Sequence, residues 1–182
     1  MVVLASHSPT RAGILRAAKI DFIQRGCDFD EDALDHTNPD HFVYHATKGK
    51  MARYMELYGL DLPVVAADTV VTCDGIILRK ATSKEDARRI LELQSGNTVS
   101  ILTCMIYRST NKELIDLSCT DYVFDPFDTQ ALDKYLAGVE WEGKAGACMV
   151  EGFCKDYIRD VRGYESTAMG LCVEKLIPFL DI

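Results

Sequence analysis

Short apolar runs alternate with helical spacings along this chain, and their order predicts a mixed α/β fold. Val2-Val3-Leu4-Ala5 reads as a buried strand that breaks into Ser6-His7-Ser8-Pro9-Thr10-Arg11. Pro9 suits the first turn of a helix, where its missing N–H is not needed. Ala12, Ile14, Leu15 and Ala18 then recur at helical spacing as far as Lys19. Residues 21–25 predict a short strand, followed by the acidic loop Asp28-Phe29-Asp30-Glu31-Asp32. Asn38-Pro39 opens a long helix to about Tyr58, ended by Gly59, with Phe42, Ala46, Met51, Met55 and Leu57 toward its inner face.

Beyond Pro63, the apolar run 64–67 ends at Asp68-Thr69 and resumes as Val70-Val71-Thr72-Cys73. Asp74-Gly75 is a hairpin signal that returns Ile76-Ile77-Leu78 antiparallel. Thr82 and Ser83 with Asp86 predict a capped helix to Gln94, carrying Ala87, Ile90, Leu91 and Leu93. Strands over 99–108 and 113–124 are joined by a polar turn. Asp128 caps a helix ending at Gly138, and a final helix is predicted from near Ala168 to Leu180. Repeats, linkers and low-complexity segments are absent from the sequence.

Composition narrows the class. At 182 residues, with 48% hydrophobic and 26% charged residues, the chain reads as a soluble globular protein of one domain, or one domain with a lobe, with a real core. No apolar run approaches the roughly 20 residues of a membrane helix. No basic segment precedes an apolar N-terminal stretch, so no signal peptide is read and a cytoplasmic location is expected. The net charge of −8 argues against a polynucleotide partner, because backbone binding needs a basic face. A small polyphosphate met by a few placed cations stays compatible with it. Seven cysteines without a C-x-x-C pair give neither a disulfide framework nor a zinc site. Cys148 and Cys154 are close enough in sequence to be neighbours, but small buried thiols are the expectation.

Several polar positions carry candidate chemistry. A strand that turns through Ser6 and Ser8 into a helix aims backbone N–H groups and the positive helix end at the loop, which makes an anion site. Arg11, on the first turn, can fork onto the same anion. Asp68 is expected at a strand end facing a cleft, where its carboxylate can bind Mg²⁺ or take a proton from water; a locally satisfied turn Asp is the alternative. Lys80 and Lys144, beside small residues, can reach a phosphate or can be ordinary surface lysines. The acidic loop can hold a metal or stay solvated. One anion site, several cations and two acidic centres are the parts of metal-assisted phosphoryl chemistry.

The order of these segments resembles the Maf family of nucleotide pyrophosphatases over almost the full length. The matching segments are Leu4-Ala5-Ser6-x-Ser8-Pro9-x-Arg11, Asp30-Glu31, Ala67-Asp68-Thr69-Val70-Val71 and Asp74-Gly75-x-x-Leu78-x-Lys80. Leu93-x-Ser95-Gly96, Lys144-Ala145-Gly146-Ala147, Glu151-Gly152 and Met169-Gly170-Leu171 follow, with Cys172 where the family carries proline. The resemblance implies an inosine triphosphate pyrophosphatase-like α/β fold, a mixed sheet with two lobes around a cleft, in a single domain over 1–182. It implies cleavage of a nucleoside triphosphate to the monophosphate and pyrophosphate with Mg²⁺ or Mn²⁺. By the same resemblance Asp68 is the general base, Glu31 and Asp68 hold the metal, and Lys80 belongs to the catalytic set. Ser6, Ser8, Arg11, Lys50 and Lys144 are assigned to substrate binding. A homodimer is expected on the same ground alone.

Departures from the family pattern matter as much. Thr10 stands where relatives usually carry Arg or Trp. The family's Leu-Ala-x-x-Lys-Ala helix signature is blurred here into His45-Ala46-Thr47-Lys48-Gly49-Lys50. Strict spacing puts Gly49 at the lysine position, so Lys48 or Lys50 serves or neither does, and Lys50 is preferred. Base preference is assigned to Thr10, Thr69 and Glu151. A carboxylate at 151 only accepts hydrogen bonds, which suits the donor edge of guanine, so a purine or modified nucleotide is favoured with pyrimidines open. The rival reading is a nucleotide-binding regulatory protein of cell division with weak or no catalysis. A metal-storage or redox module has only the cysteines to support it.

Overall fold

The computed structural model describes residues 1–31, 33–148, 150 and 152–180. Strand β1 (Val2–Leu4) leads into helix α1 (Pro9–Ala17), then β2 (Phe22–Gln24) and the long α2 (Pro39–Tyr58). Next come β3 (Val64–Cys73), β4 (Ile76–Leu78), α3 (Lys84–Gln94), β5 (Thr98–Arg108), β6 (Glu113–Phe124) and α4 (Thr129–Ala137). A 3₁₀ turn, Phe153–Tyr157, precedes β7 (Ile158–Arg162), and α5 (Glu165–Ala168), α6 (Val173–Leu176) and the 3₁₀ turn Ile177–Phe179 follow. The four longer helices begin on Ser8, Asn38, Ser83 and Asp128, whose side chains each accept a backbone N–H of the first turn.

The sheet is mixed, with seven strands in the order β2-β1-β3-β5-β6-β7 and β4 paired to β3. β1 runs parallel to both neighbours, with Val3 opposite Ile23 and Val64. All three of its residues are buried, as a parallel strand covered on both faces requires. The β3–β4 and β6–β7 pairs are antiparallel.

The chain divides into two compact units. The first holds residues 1–69, 102–119 and the segment from Tyr164 onward; the second holds 70–101 and 120–163. In the first unit α1 and the C-terminal turns bury Ala12, Leu15, Leu171 and Leu176 with Leu4, Val65, Ala67 and Tyr107. In the second, α3 and α4 bury Ala87, Ile90, Leu91, Leu132 and Leu136. There Phe153 stacks on Tyr135 at 4.7 Å and meets Phe127 edge-on at 5.2 Å.

Several sequence expectations change. The final helix is broken into α5, α6 and a 3₁₀ turn. Gly170 takes φ +102°, outside helical space, and Pro178 cannot donate to a continuing helix. Asp68 lies inside β3, not at a strand end, because Thr69 to Cys73 continue the same strand. On α2 Leu57 is exposed, and Val43, Thr47 and Tyr54 join the inner face. β7 lacks an apolar pattern and was not expected. Cys148 and Cys154 are joined as a disulfide instead of standing as small thiols, with Cα atoms 6.5 Å apart, inside the range a disulfide spans. Among the described residues, no helix is long and apolar enough to cross a membrane.

Candidate active site

The loop after β1 is held open by its own hydroxyls. Ser8 Oγ accepts the Arg11 backbone N–H at 3.3 Å, and Ser6 Oγ accepts the Ser8 N–H at 3.2 Å. Each hydroxyl spends lone pairs on the loop, and neither of these bonds uses its proton. Gln24, on β2, braces the loop from the side, donating to the Ser6 and Ser8 carbonyls at 3.0 and 3.2 Å.

Arg11 points back along α1 into a set of acceptors. Its Nε donates to the Gly170 carbonyl at 2.8 Å, Nη1 to Ser6 Oγ at 3.2 Å and Nη2 to Thr69 Oγ1 at 3.2 Å. Among the described residues three of the five guanidinium donors are used, and one N–H on each terminal nitrogen is left over. Gly170 is needed here for space as well, since a Cβ would approach Arg11 Nε and Thr69 Oγ1 at 3.2 Å. Burial pushes the Arg11 pKa down, the charges of Asp68 and Glu31 oppose that, and an arginine remains a cation.

A second cluster gathers around Lys50. Its Nζ lies 2.7 Å from Asp68 Oδ1 and also contacts Glu31 Oε1. The Asp68 side chain is 7% exposed, and its other oxygen, Oδ2, is buried without a hydrogen-bond partner among the described residues. Burial raises the Asp68 pKa, the Lys50 charge and hydrogen bond oppose the rise, Glu31 adds to it and Arg11 opposes it. Lys48 is exposed and lies over the Tyr44 ring instead. Gly49 explains how Glu31 arrives: a Cβ on it would overlap the Phe29 ring, so its absence forms a notch in α2 that seats Phe29.

Thr10 is exposed on the first turn of α1. Lys80 and Lys144 belong to the second unit. Lys80 is exposed and bridges antiparallel to Ala145, one residue from the half-buried Lys144. Gln94 Nε2 fixes this segment through the Gly146 carbonyl at 2.6 Å, and Gly146 takes φ +69°. Glu151 lies outside the described residues, as does Asp32 of the acidic loop. Ser6, Ser8, Arg11, Lys50, Glu31, Asp68 and Thr69 all belong to the first unit.

Sequence reasoning passed over Gln24, Gly49 as a notch, Gln94 and Thr103. Thr103 is fully buried on β5 and contacts Thr69 Oγ1 at 2.9 Å. A buried polar residue in an apolar strand was the one signal that could have singled it out; Gln24, in an exposed short strand, offered none.

Fold and site together define a mixed-sheet α/β protein with a serine-braced loop after β1 and a buried carboxylate paired to a lysine. A family model described as "Maf-like protein" matches residues 1–181. A protein of a Nitratiruptor species named nucleoside triphosphate pyrophosphatase is 56% identical over 178 residues, covering 97% of this chain and 96% of that one. One of the same name from Helicobacter pylori is 37% identical over 181 residues, covering 100% and 95%. The crystal structure of a Mycobacterium abscessus nucleoside-triphosphatase, a dITP/XTP pyrophosphatase, shares the fold at TM-score 0.50 and 13% identity, covering 98% of this chain and 95% of that one. The chain belongs to the Maf family.

Proposed function

We propose that this chain, acting as a single domain over 1–182, hydrolyses a nucleoside triphosphate to the monophosphate and pyrophosphate. The observation that supports this most is Asp68: buried, ion-paired through Oδ1, with Oδ2 unpartnered. An unsatisfied buried carboxylate oxygen is costly, and a proton-accepting or ion-holding role accounts for it. Water attacks the α phosphorus, the α–β bridging P–O bond breaks, pyrophosphate leaves with that oxygen, and Asp68 takes the water's proton. Arg11 offers its two remaining N–H groups to phosphate oxygens, and the Ser6 and Ser8 hydroxyls turn their protons to the same anion. Lys80 and Lys144 are assigned to the departing phosphates, and Lys50 holds Asp68 in its ionised form.

The donor set fits Mg²⁺ or Mn²⁺. Among the described residues no three His, Cys, Asp or Glu side chains gather as a closed metal cage. Two carboxylates with one free buried oxygen suit a hard ion that keeps waters and takes phosphate oxygens as further ligands. Glu31 and Asp68 would hold it. When bound, the ion neutralises charge growing on the pyrophosphate.

Pyrophosphate release over a panel of standard and modified nucleoside triphosphates tests this. The expected result is turnover with wild type and loss with Asp68→Asn. Equal low background from both on every nucleotide overturns it and returns the chain to a nucleotide-binding role.

A further inference from the structure

We propose that Thr103 is a positioning residue: it sets the direction of a hydrogen-bond relay that presents Arg11 to the triphosphate. This rests on the reading above. Thr103 Oγ1 lies 2.7 Å from the Thr167 carbonyl and 2.9 Å from Thr69 Oγ1. A carbonyl only accepts, so the single Thr103 proton goes to Thr167. Thr69 must therefore be the donor in the Thr69–Thr103 contact, which uses the only hydroxyl proton it has. Thr69 then meets Arg11 Nη2, 3.2 Å away, as an acceptor. The bonds run one way, from Arg11 to Thr69 to Thr103 to the Thr167 carbonyl.

The consequence reaches the site on two counts. Arg11 finds an acceptor at each of the three nitrogens of its fork: the Gly170 carbonyl, Ser6 Oγ and Thr69 Oγ1. Both terminal acceptors of the arrangement, Thr167 and Gly170, lie in the same C-terminal turn, so the guanidinium plane is fixed from both sides. Thr69, in turn, has no proton to give a nucleobase. Its part in base preference then lies in the lone pair it keeps and in how it orients Arg11.

Thr103→Val removes the hydroxyl at constant volume, and Thr103→Ser keeps it. Two readouts are used: steady-state pyrophosphate release, and the Kd for α,β-imido GTP and UTP. The expected result for the valine variant is a rise in KM and Kd of about tenfold, the scale of one lost hydrogen bond, with kcat within about threefold. Serine restores both. In a Thr69→Val background, Thr103→Val adds nothing further, because the relay is already cut. A purely structural role lowers kcat through a smaller active fraction and leaves KM and Kd unchanged; that outcome overturns the proposal. If the valine variant does not fold, Thr103→Cys, which keeps only a weak S–H donor, takes its place, and wild-type Kd there overturns it equally. A wild type that binds the analogues without releasing pyrophosphate overturns the proposed reaction, while the Kd comparison still decides Thr103. A wild type that binds neither analogue overturns both.

Discussion

Lys50 Nζ sits 2.7 Å from Asp68 Oδ1, and the same ammonium contacts Glu31. One cation thus holds two carboxylates from a strand and a loop. Asp68→Asn keeps the shape and removes the proposed base, so pyrophosphate release should fall by about 100-fold or more with the circular dichroism spectrum unchanged. A loss below about tenfold argues against Asp68 as the proton acceptor.

The raised pKa of Asp68 carries a sign that can be measured. With the folded value above the unfolded one, the native state holds more protons across that window. Stability from this group therefore falls as pH rises from roughly 3.9, the unfolded carboxylate value, through the raised native value. Asn at 68 lacks this contribution. Its melting temperature relative to wild type should climb over that window, and the acid limb of the wild-type rate should lie above the ordinary carboxylate range. A temperature difference independent of pH contradicts it.

Removing Lys50 should move that limb. The Lys50 charge and hydrogen bond hold the Asp68 pKa down, so Lys50→Met shifts the acid limb to higher pH. It should also cost about 3 kcal/mol of stability, as leaving a buried carboxylate without its counter-ion does. Urea denaturation and a pH–rate profile read the two effects separately.

Glu31 is the more exposed carboxylate of the pair, at 40% against 7%. Glu31→Gln should raise the Mg²⁺ concentration for half-maximal activity by about tenfold. Chelation by EDTA should abolish wild-type turnover, and added Mg²⁺ or Mn²⁺ should restore it. Unchanged metal titration curves count against Glu31 as a ligand.

Gly49→Ala improves helix propensity by about 1 kcal/mol in isolation, yet here it should lower both melting temperature and activity, because the new methyl overlaps Phe29. Joining it to Phe29→Ala should recover the helix gain in stability and leave the raised metal requirement of a loosened Glu31. Equal behaviour of the single and double variants would falsify the notch.

Much of this site is legible in the sequence. Ser8, Pro9 and Arg11 announce a capped helix after a strand, because capping chemistry is local. Asp68 stood out as a charge ending an apolar run, although β3 continues through it. Gln24, Thr103 and Gly170 were not legible in their roles. Each acts on a residue far along the chain, and hydrogen bonds of that range leave no periodicity to read. The broken C-terminus was half visible: Gly170 and Pro178 weaken a helix on sight, but only the Arg11 contact shows what the bend at Gly170 is for. Lys50 illustrates the middle case, since the sequence left two lysines and their side-chain directions on α2 separate them.

Arg11 and Gly170 are 159 residues apart in the chain. Closing so long a loop carries a large entropic cost that is recovered only once the strands between have paired. The Arg11 guanidinium therefore gains its fixed orientation late in folding, after the sheet exists to hold it. The set of the Arg11 side chain becomes a reporter of complete folding: a chain cut ahead of Glu165 lacks the Gly170 carbonyl and presents a loose, solvated arginine where the intact protein presents a fork.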